Sequence, residues 1–467
     1  MKTSPQIFCT GKTSFFAPLQ WRGVHLILIL LLNGNLLFSQ IPIFGADSLL
    51  KHYTYKMNHY MDRDSALRDF YSMDIFGVSI FADANAKKMN HPEYRVTWQE
   101  LPIYKNLIAN APRYEAMNTM LAKGEKSFSP DVQKDFSSVP EILKFNPTDQ
   151  QPLKGLRIAL DPGHTAGDTA TGRMEDKFLL FKMYDPKNKD TVTVSLAEGM
   201  LTWNTANMLA VTLRAEGAEV FMTRTTANSN ALGKSFEQWK KEDYRRELDS
   251  LLKIYPTDIH LRKLKSGKLR DDNSIFRYVF KDVELRKRAE LINDFHPDLT
   301  IIIHFNVDDQ NKPWTKPTNK NFCMTFVGGS FQAGELSDSE RRFDFLRLLL
   351  TDDIENSTIA AGHAALEFQS ELDVSLAKQN DASYLKQYCI PEIYPGVFCR
   401  NLSLTRMIQG TLIYGETLYQ DNAKECLRLS SDPSLSAEGI RPENGDDCLK
   451  QVADAYNEAI LDWAKSH

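Results

Sequence analysis

The stretch LRIALDPGHTAGD (156–168) decides the fold, because an apolar run ends there in Asp161, Pro162, Gly163 and His164. A short apolar run bounded by turn residues is consistent with a strand buried inside a sheet. Proline and glycine favour a sharp turn directly after such a strand. The stretch therefore predicts a buried strand that ends in a turn, with His164 at the rim of the sheet.

Helix and strand patterns alternate after this stretch. Residues 198–217 have the pattern of a helix that stops at Gly217, and residues 218–224 have the pattern of a strand. One further helix pattern and three strand patterns follow at 284–295, 298–306, 321–329 and 410–422. Short apolar strands separated by helices favour an α/β fold, in which helices cover both faces of a mostly parallel mixed sheet.

The domain organisation is predicted from the length and from local composition. The chain has 467 residues, which exceeds the usual size of one simple domain. A stretch rich in Ser, Pro, Asp and Gln ends at Pro152, so we expect a main domain over 153–467. Long helical insertions interrupt it at about 225–282 and 307–387, and a mainly helical region of unknown role, 47–152, precedes it.

The N-terminal residues 1–46 predict an export signal whose cleavage site stays open. Lys2, Lys12 and Arg22 precede an apolar stretch, 24–40, that is too short and too interrupted to span a membrane. We therefore expect an exported protein of the periplasm or cell envelope, without a stable membrane span after signal removal. Five cysteines follow the signal, an odd number that leaves at least one unpaired and the pairing of the others open.

The composition is that of a globular protein, with 42% hydrophobic and 25% charged residues. The formal net charge of −5 offers no basic footprint for nucleic acid, so a nucleic-acid partner is excluded from the prediction.

Polar side chains that can carry chemistry follow three of the predicted strands. His164, His304 and Glu416 each stand where an apolar run ends, and Glu198 opens the first predicted helix. In α/β sheets, ligands gather outside the carboxyl ends of the strands. Two histidines and one glutamate with an open fourth position match the ligand set of hydrolytic zinc sites, and a nearby carboxylate can shuttle protons. The pattern predicts such a site.

Each of these residues also has a purely structural interpretation. His164 and His304 could be hydrogen-bonded rim histidines, and Glu416 could be a solvated charge at a strand end. For Glu198 the alternative is a capping box, in which Ser195 is the N-cap and Glu198 reaches back to its amide. Only the ordered combination favours a common site.

In that order, the motifs resemble the zinc-dependent N-acetylmuramoyl-L-alanine amidases, the bacterial cell-wall amidase family. The family has a D-P-G-H turn, a helix-opening glutamate, an H-x-N motif and a C-terminal glutamate, which correspond here to His164, Glu198, His304 with Asn306, and Glu416. Further matching positions are Arg288, Asn293 and Asn422. The similarity covers about 153–422, and the C-terminal segment resembles the family's closing helix.

This resemblance implies zinc ligands His164, Glu198 and His304, with Glu416 as the catalytic residue. The implied reaction is hydrolysis of the amide between N-acetylmuramic acid and L-alanine in peptidoglycan. Thr165 departs from the family, which usually has glycine after the histidine, and the path from His164 to Glu198 is long. Glu175 is therefore a rival ligand, and Glu198 is favoured because only it starts a helix of the right length.

Two other functions stay open at this point. One is a related zinc amidohydrolase or peptidase that acts on another amide, and the other is an inactive wall-binding protein of the same fold. The resemblance also implies a possible activator protein, because some relatives cover the zinc with a helix at the position of segment 307–387. Under that hypothesis an acidic residue of the segment occupies the open metal position; the candidates are Glu335, Asp338, Glu340, Asp344, Asp352, Asp353 and Glu355.

Overall fold

The computed structural model describes residues 45–136, 145–435 and 447–466. Apart from its last two residues, the predicted export signal, 1–46, lies outside the described residues. Among the helices that are described, none is long and apolar enough to cross a membrane.

The N-terminal region is mainly helical, as predicted, and also contains a small antiparallel sheet. Its helices are α1 Ala46–Lys56, α2 Ala84–Lys88, α3 Leu101–Asn110, α4 Arg113–Lys123 and α5 Pro130–Asp135. Its strands pair in the order β1-β2-β3 and are β1 Tyr71–Asp74, β2 Gly77–Ile80 and β3 Tyr94–Thr97. This sheet was not predictable from the sequence, because four-residue strands carry little periodicity.

The main domain is built on a seven-stranded sheet with the order β10-β11-β9-β12-β8-β4-β7. Its strands are β4 Arg157–Pro162, β7 Glu219–Met222, β8 Leu299–Asn306, β9 Met324–Val327, β10 Ile390–Pro391, β11 Val397–Cys399 and β12 Leu412–Tyr419. A separate hairpin consists of β5 Phe178–Asp185 and β6 Asp190–Ala197. Four of the six neighbouring pairs in the large sheet are parallel, which agrees with the predicted mixed, mostly parallel sheet.

The helices of the main domain follow in chain order. They are α6 Thr169–Met174, α7 Glu198–Ala215, α8 Phe236–Glu242, α9 Tyr244–Ile254, α10 Ile259–Lys265, α11 Asp272–Ile275, α12 Lys281–Phe295, α13 Ser339–Leu350, α14 Asp353–Leu372, α15 Ser383–Tyr388, α16 Ser403–Met407, α17 Glu425–Ser430 and α18 Cys448–Lys465.

Helices cover both faces of the large sheet. On one face, α7, α14 and α18 pack against alternate strand residues such as Ile158, Ile301 and Ile413. On the other face, α12 and α16 pack against the intervening residues, among them Ala159 and Ile302. The α/β fold class is confirmed. Because both faces are buried, the strands read as continuous apolar runs until they reach the rim.

The two long segments differ in how they join this core. Segment 225–282 contains α8 to α11 and has its own apolar cluster around Phe236, Trp239 and Phe280. Segment 307–387 supplies β9, which lies between β12 and β11 in the sheet, and α14, which packs on β12. Much of this second segment therefore belongs to the main core.

The N-terminal region packs on the main domain through a shared apolar cluster. Tyr53 and Tyr104 from the N-terminal region lie in one buried group with Phe343, Leu346 and Val397.

The five described cysteines are all buried free thiols, at positions Cys323, Cys389, Cys399, Cys426 and Cys448.

Candidate metal centre

The turn after β4 presents His164 at the carboxyl end of the sheet. Pro162 pairs with Ile303 of β8, and the amide of Gly163 donates to the Ile303 carbonyl at 2.9 Å. A Cβ atom at position 163 would lie only 2.4 Å from His304 Cε1, so glycine is needed for this close approach. His164 itself has a left-handed φ of 66°, which turns its side chain toward His304.

Arg288 of α12 holds this turn in place. Its guanidinium donates to the carbonyl oxygens of Pro162, at 3.0 Å, and of His164. It also pairs with Glu284 at 2.8 Å and contacts Asp161 at 3.4 Å. The arginine recognised from the sequence therefore fixes the backbone of the D-P-G-H motif.

Glu198 reaches the site because the β5–β6 hairpin returns the chain to the rim of the sheet. Helix α7 begins at Glu198, as predicted, and its N-cap residue is Ala197, without a side-chain cap. Ser195 lies within β6 and pairs with Leu180 of β5. The capping-box alternative is therefore wrong, because strand pairing holds Ser195 away from the helix start.

The two histidines and Glu198 form one compact cluster. Glu198 Oε1 lies 2.8 Å from His164 Nε2 and 3.1 Å from His304 Nδ1. Each of the three side chains offers one ligand atom, and these atoms all lie within 4.8 Å of one another. Among the described residues, this is the only such group of potential metal ligands. The imidazole rings of the two histidines meet edge to face, with 4.8 Å between centroids.

The carboxylate of Glu198 is fully buried and is held by several donors. The Phe305 backbone amide donates to Oε1 at 3.1 Å, and the Gln420 side-chain amide donates to Oε2 at 3.0 Å. The Lys177 ammonium lies 3.2 Å from Oε2. Burial opposes the charged form, but His164 and Lys177 together hold the pKa of Glu198 well below its usual range. The site therefore contains an ionised carboxylate with a fixed orientation.

Glu175 contacts the opposite side of the His164 ring. Its Oε2 lies 3.4 Å from His164 Nδ1, and its carboxylate accepts from the Thr165 amide at 3.1 Å and the Thr165 hydroxyl at 2.8 Å. Glu175 is not part of the three-residue cluster. A carboxylate at the distal nitrogen of a metal-binding histidine typically orients the ring. Thr165, which departs from the family pattern, is one of the residues that hold this carboxylate.

The donor set fits a divalent metal such as zinc. Burial lowers the pKa of His304 to about 4, so its ring is neutral and can offer a lone pair. Burial also opposes the charged form of His164, but the neighbouring Glu198 and Glu175 carboxylates raise its pKa. His164 Nε2 is buried and, although close to Glu198, makes no hydrogen bond of acceptable geometry. A metal ion would satisfy this nitrogen and separate the charges.

Glu416 lies beside the cluster on the neighbouring strand. In the parallel pairing of β12 with β8, Glu416 is the register partner of His304. Both residues line a cavity of about 310 Å³ that His164 and Tyr414 also line. The Tyr414 ring stacks on His304 with 4.6 Å between centroids. Burial and the nearby Glu198 carboxylate raise the pKa of Glu416 to about 7, so a proton can be exchanged there near neutral pH.

Three other positions recognised from the sequence support the surroundings of the site. Asn293 donates to the Met407 carbonyl at 3.0 Å and ties α12 to α16. Asn306 donates to the Tyr384 hydroxyl at 3.0 Å. Asn422 accepts from the Glu425 amide at 3.2 Å near the start of α17. None of the three belongs to the metal cluster.

The acidic residues of segment 307–387 have other partners than a metal. Glu340 and Asp344 pair with Arg113, and Glu355 pairs with Lys56. Glu335 accepts from an amide side chain, and Asp338 accepts from a backbone amide of α13. Asp352 pairs with a lysine, and Asp353 pairs with an arginine. The cavity beside the cluster is lined by none of the seven. The hypothesis that one of them occupies the open metal position is therefore not supported.

Sequence reasoning missed Lys177, Gln420 and Tyr414. Gln420 follows β12 after an irregularity in strand register between Glu416 and Tyr419, so strand alternation could not place its side chain. Lys177 stands two residues after Glu175 in the triplet E-D-K. This triplet was the only sequence pattern that indicated a cation close to the buried carboxylates.

Comparison with solved structures gives amidases as neighbours. The apo form of the N-acetylmuramyl-L-alanine amidase Ami1 from Mycobacterium abscessus is 15% identical, with a TM-score of 0.35 over 66% of this chain and 99% of that one. The CwlD amidase from Clostridioides difficile, solved in complex with the GerS lipoprotein, is 15% identical, with a TM-score of 0.35 over 67% and 100% of the two chains. Comparison with curated proteins gives no match.

The sequence profile of one protein family covers more than half of the chain. The family is described as N-acetylmuramoyl-L-alanine amidase, and the match spans residues 158–440. This range includes His164, Glu198, His304 and Glu416. The chain therefore belongs to the N-acetylmuramoyl-L-alanine amidase family and is a hydrolase of the amide bond between N-acetylmuramic acid and L-alanine in peptidoglycan.

Proposed function

We propose that His164, Glu198 and His304 bind zinc and that Glu416 carries protons during hydrolysis of the amide. The observation that carries this proposal is the convergence of three ligand atoms within 4.8 Å at the rim of the sheet, with Glu416 on the next strand. Two imidazole nitrogens and one carboxylate oxygen are ligands that zinc prefers, and three protein ligands leave one position open for catalysis.

The protein's own side chains around the cluster have separate roles in the proposed reaction. Zinc supplies, when bound, Lewis acidity toward water and toward the amide carbonyl. Glu416 accepts a proton from the attacking water and returns it to the nitrogen of L-alanine as the bond to the lactyl carbonyl breaks. Glu175 orients the His164 ring, and Gln420 and Lys177 hold the Glu198 carboxylate, so the ligand geometry is set before the substrate binds.

Metal analysis tests the ligand assignment. We expect purified protein, dialysed against zinc and then against buffer, to retain about one zinc per chain. Single variants His164→Ala and His304→Ala should retain much less, while their helical content by circular dichroism stays that of the wild type. A wild-type protein that binds no zinc, or alanine variants that retain it fully, would refute the ligand set.

We also propose the domain division and the export route predicted from the sequence. The family match over residues 158–440 supports a catalytic domain over 153–467, preceded by the region 47–152. Its proposed insertions are at about 225–282 and 307–387, and the second of them also supplies β9 and α14 to the core. Peptidoglycan lies outside the cytoplasmic membrane, so the enzyme must be exported, and residues 1–46 are proposed as the signal for delivery to the periplasm or cell envelope. Mass spectrometry of the N-terminus of cell-envelope protein tests this, and an intact Met1 would contradict it.

The activator protein stays a prediction. The relative CwlD was solved with a lipoprotein partner, which is the kind of protein we propose as an activator for this chain. A pull-down from cell-envelope extract, followed by an activity assay with the isolated partner, tests the proposal.

A further inference from the structure

Arg400 occupies a defined place in the cavity beside the candidate metal cluster. It directly follows β11, and its amide donates to the Val327 carbonyl of β9 at 2.9 Å. Its side chain lines the same cavity as His304 and Glu416. The backbone of Arg400 is therefore anchored at the sheet, beside the cavity that the two histidines of the cluster also line.

Two aromatic rings hold the guanidinium of Arg400. It lies 4.9 Å from the ring centroid of Phe326 and 4.7 Å from that of Tyr384. The Tyr384 hydroxyl accepts from the Asn306 side chain at 3.0 Å, which fixes this ring. Contacts of this kind orient a cation without neutralising its charge.

Arg400 has no carboxylate within ion-pair distance among the described residues, and it differs in this from three buried arginines of the chain. Arg113, Arg288 and Arg347 each pair with a carboxylate at 2.8 Å or less. Lys281 also lines the cavity. Within the described part of the chain, it likewise has no carboxylate within ion-pair distance. The cavity therefore holds two cations that form no close ion pair with a carboxylate of the described residues.

The acidic residues of the cavity are mostly engaged elsewhere. Glu284 pairs with Arg288, and Glu175 accepts from Thr165. Glu416 is the third acidic residue that lines the cavity. Among the described residues it has neither an ion pair nor a side-chain hydrogen bond of this kind, and it forms no ion pair with Arg400. The cavity thus presents two cations without a close ion pair, Arg400 and Lys281, to a bound substrate, which favours a ligand with an anionic group.

We propose that Arg400 is a specificity-determining residue that binds a free carboxylate on the peptide part of the substrate. The proposal rests on the amidase function and adds the chemical group that the enzyme recognises. The lactyl carboxyl of the sugar is consumed in the scissile amide, so a free carboxylate must come from the peptide. The planar fork of a guanidinium matches a carboxylate with two parallel hydrogen bonds, which an ammonium group cannot provide.

A pair of soluble substrates tests this proposal. The first is N-acetylmuramoyl-L-alanine extended by one glutamate whose α-carboxylate is free and whose γ-carboxyl is blocked as an amide, and the second differs only in carrying a carboxamide at the α position. For the wild-type enzyme we expect kcat/KM to fall about tenfold or more on amidation, the usual effect of losing a charged hydrogen bond. Arg400→Gln should hydrolyse both compounds at similar, low kcat/KM, and Arg400→Lys should keep part of the preference. Lys281→Gln is the matched control and should keep most of it.

The outcomes separate this proposal from the proposed function. Equal kcat/KM of the wild type on both compounds overturns the role of Arg400, and this comparison needs no variant to fold. A preference that survives in Arg400→Gln, or one that is lost in Lys281→Gln instead, also overturns it. Hydrolysis of neither compound, and no release of peptide from peptidoglycan, would instead refute the amidase function itself.

Discussion

The Glu198 carboxylate lies 2.8 Å from the Nε2 atom of His164, although α6 and the β5–β6 hairpin separate the two residues along the chain. Glu175 is closer in sequence but contacts the other nitrogen of the same ring, at 3.4 Å. The two carboxylates therefore contact different nitrogens of one histidine. This relationship allows the rival ligand assignments to be separated by experiment.

The first prediction concerns these two glutamates. Glu198→Gln should abolish stable zinc binding, because it replaces a charged ligand oxygen inside the cluster. Glu175→Gln should still bind zinc, with affinity reduced about 10- to 100-fold, the usual cost of losing a residue that orients a ligand. Titration with zinc and a competing chelator measures both affinities. The reverse order of the two losses would make Glu175 the ligand.

The second prediction concerns the proton carrier. Glu416→Gln keeps the shape of the side chain but removes its capacity to accept a proton, so we expect hydrolysis to slow by a factor of about 10² to 10⁴. Zinc content and thermal stability should stay close to those of the wild type. If the variant cleaves at the wild-type rate, Glu416 is not the proton carrier.

The third prediction follows from the tight turn at Gly163. Alanine at this position would bring a Cβ atom 2.4 Å from His304 Cε1 and 2.6 Å from the Ile303 carbonyl oxygen. We expect Gly163→Ala to displace the His304 ring and to lower zinc affinity and activity together. Gly334→Ala is the control, because no described atom lies within 4 Å of a Cβ atom built there. Normal zinc affinity in Gly163→Ala would show that the turn can relax.

The fourth prediction concerns the docking of the N-terminal region and its dependence on pH. Glu340 of α13 lies 2.6 Å from both Arg113 of α4 and Arg286 of α12. Burial opposes its charge, but the two arginines lower its pKa from 4.5 to about 2. A carboxyl group whose pKa is depressed by folding stabilises the protein above its unfolded pKa, and this contribution disappears as the pH falls through the folded value.

The stabilisation from Glu340 should therefore be complete at pH 6 and should be lost progressively between about pH 4.5 and pH 2. Its size is on the order of 3 kcal/mol, from the shift in pKa at about 1.4 kcal/mol per unit. Urea unfolding of the wild type and of Glu340→Gln between pH 6 and pH 3 measures it. We expect the difference in free energy of unfolding to shrink on acidification. A difference that stays constant over this range would contradict the assignment.

The strand ends were predictable from sequence, and the partners across the chain were not. His164, His304 and Glu416 each follow a buried apolar run, so their position at one rim follows from the parallel sheet alone. The choice between Glu198 and Glu175 depends on the pairing of β5 with β6, which brings α7 back to the turn. Local sequence patterns do not encode that return, and the capping-box alternative at Ser195 stayed open for this reason.

Docking of the N-terminal region was also beyond sequence reasoning. Glu340 lies on an acidic, helix-forming stretch, which favoured either a solvated face or a carboxylate near the metal. Its partners Arg113 and Arg286 stand far away in sequence, and each is an ordinary surface-type residue by pattern. Long-range ion pairs of this kind become visible only when the packing of α4, α12 and α13 is known.

The central claim is that the cluster of His164, Glu198 and His304, together with Glu416, cleaves the bond between N-acetylmuramic acid and L-alanine. The most direct test is to incubate zinc-loaded wild-type protein and the Glu416→Gln variant with purified peptidoglycan and to analyse the released material by mass spectrometry. We predict stem peptides with a new N-terminal alanine from the wild type, and almost none from the variant. Soluble fragments in which sugar and alanine are still joined, or equal release by both proteins, would contradict the account.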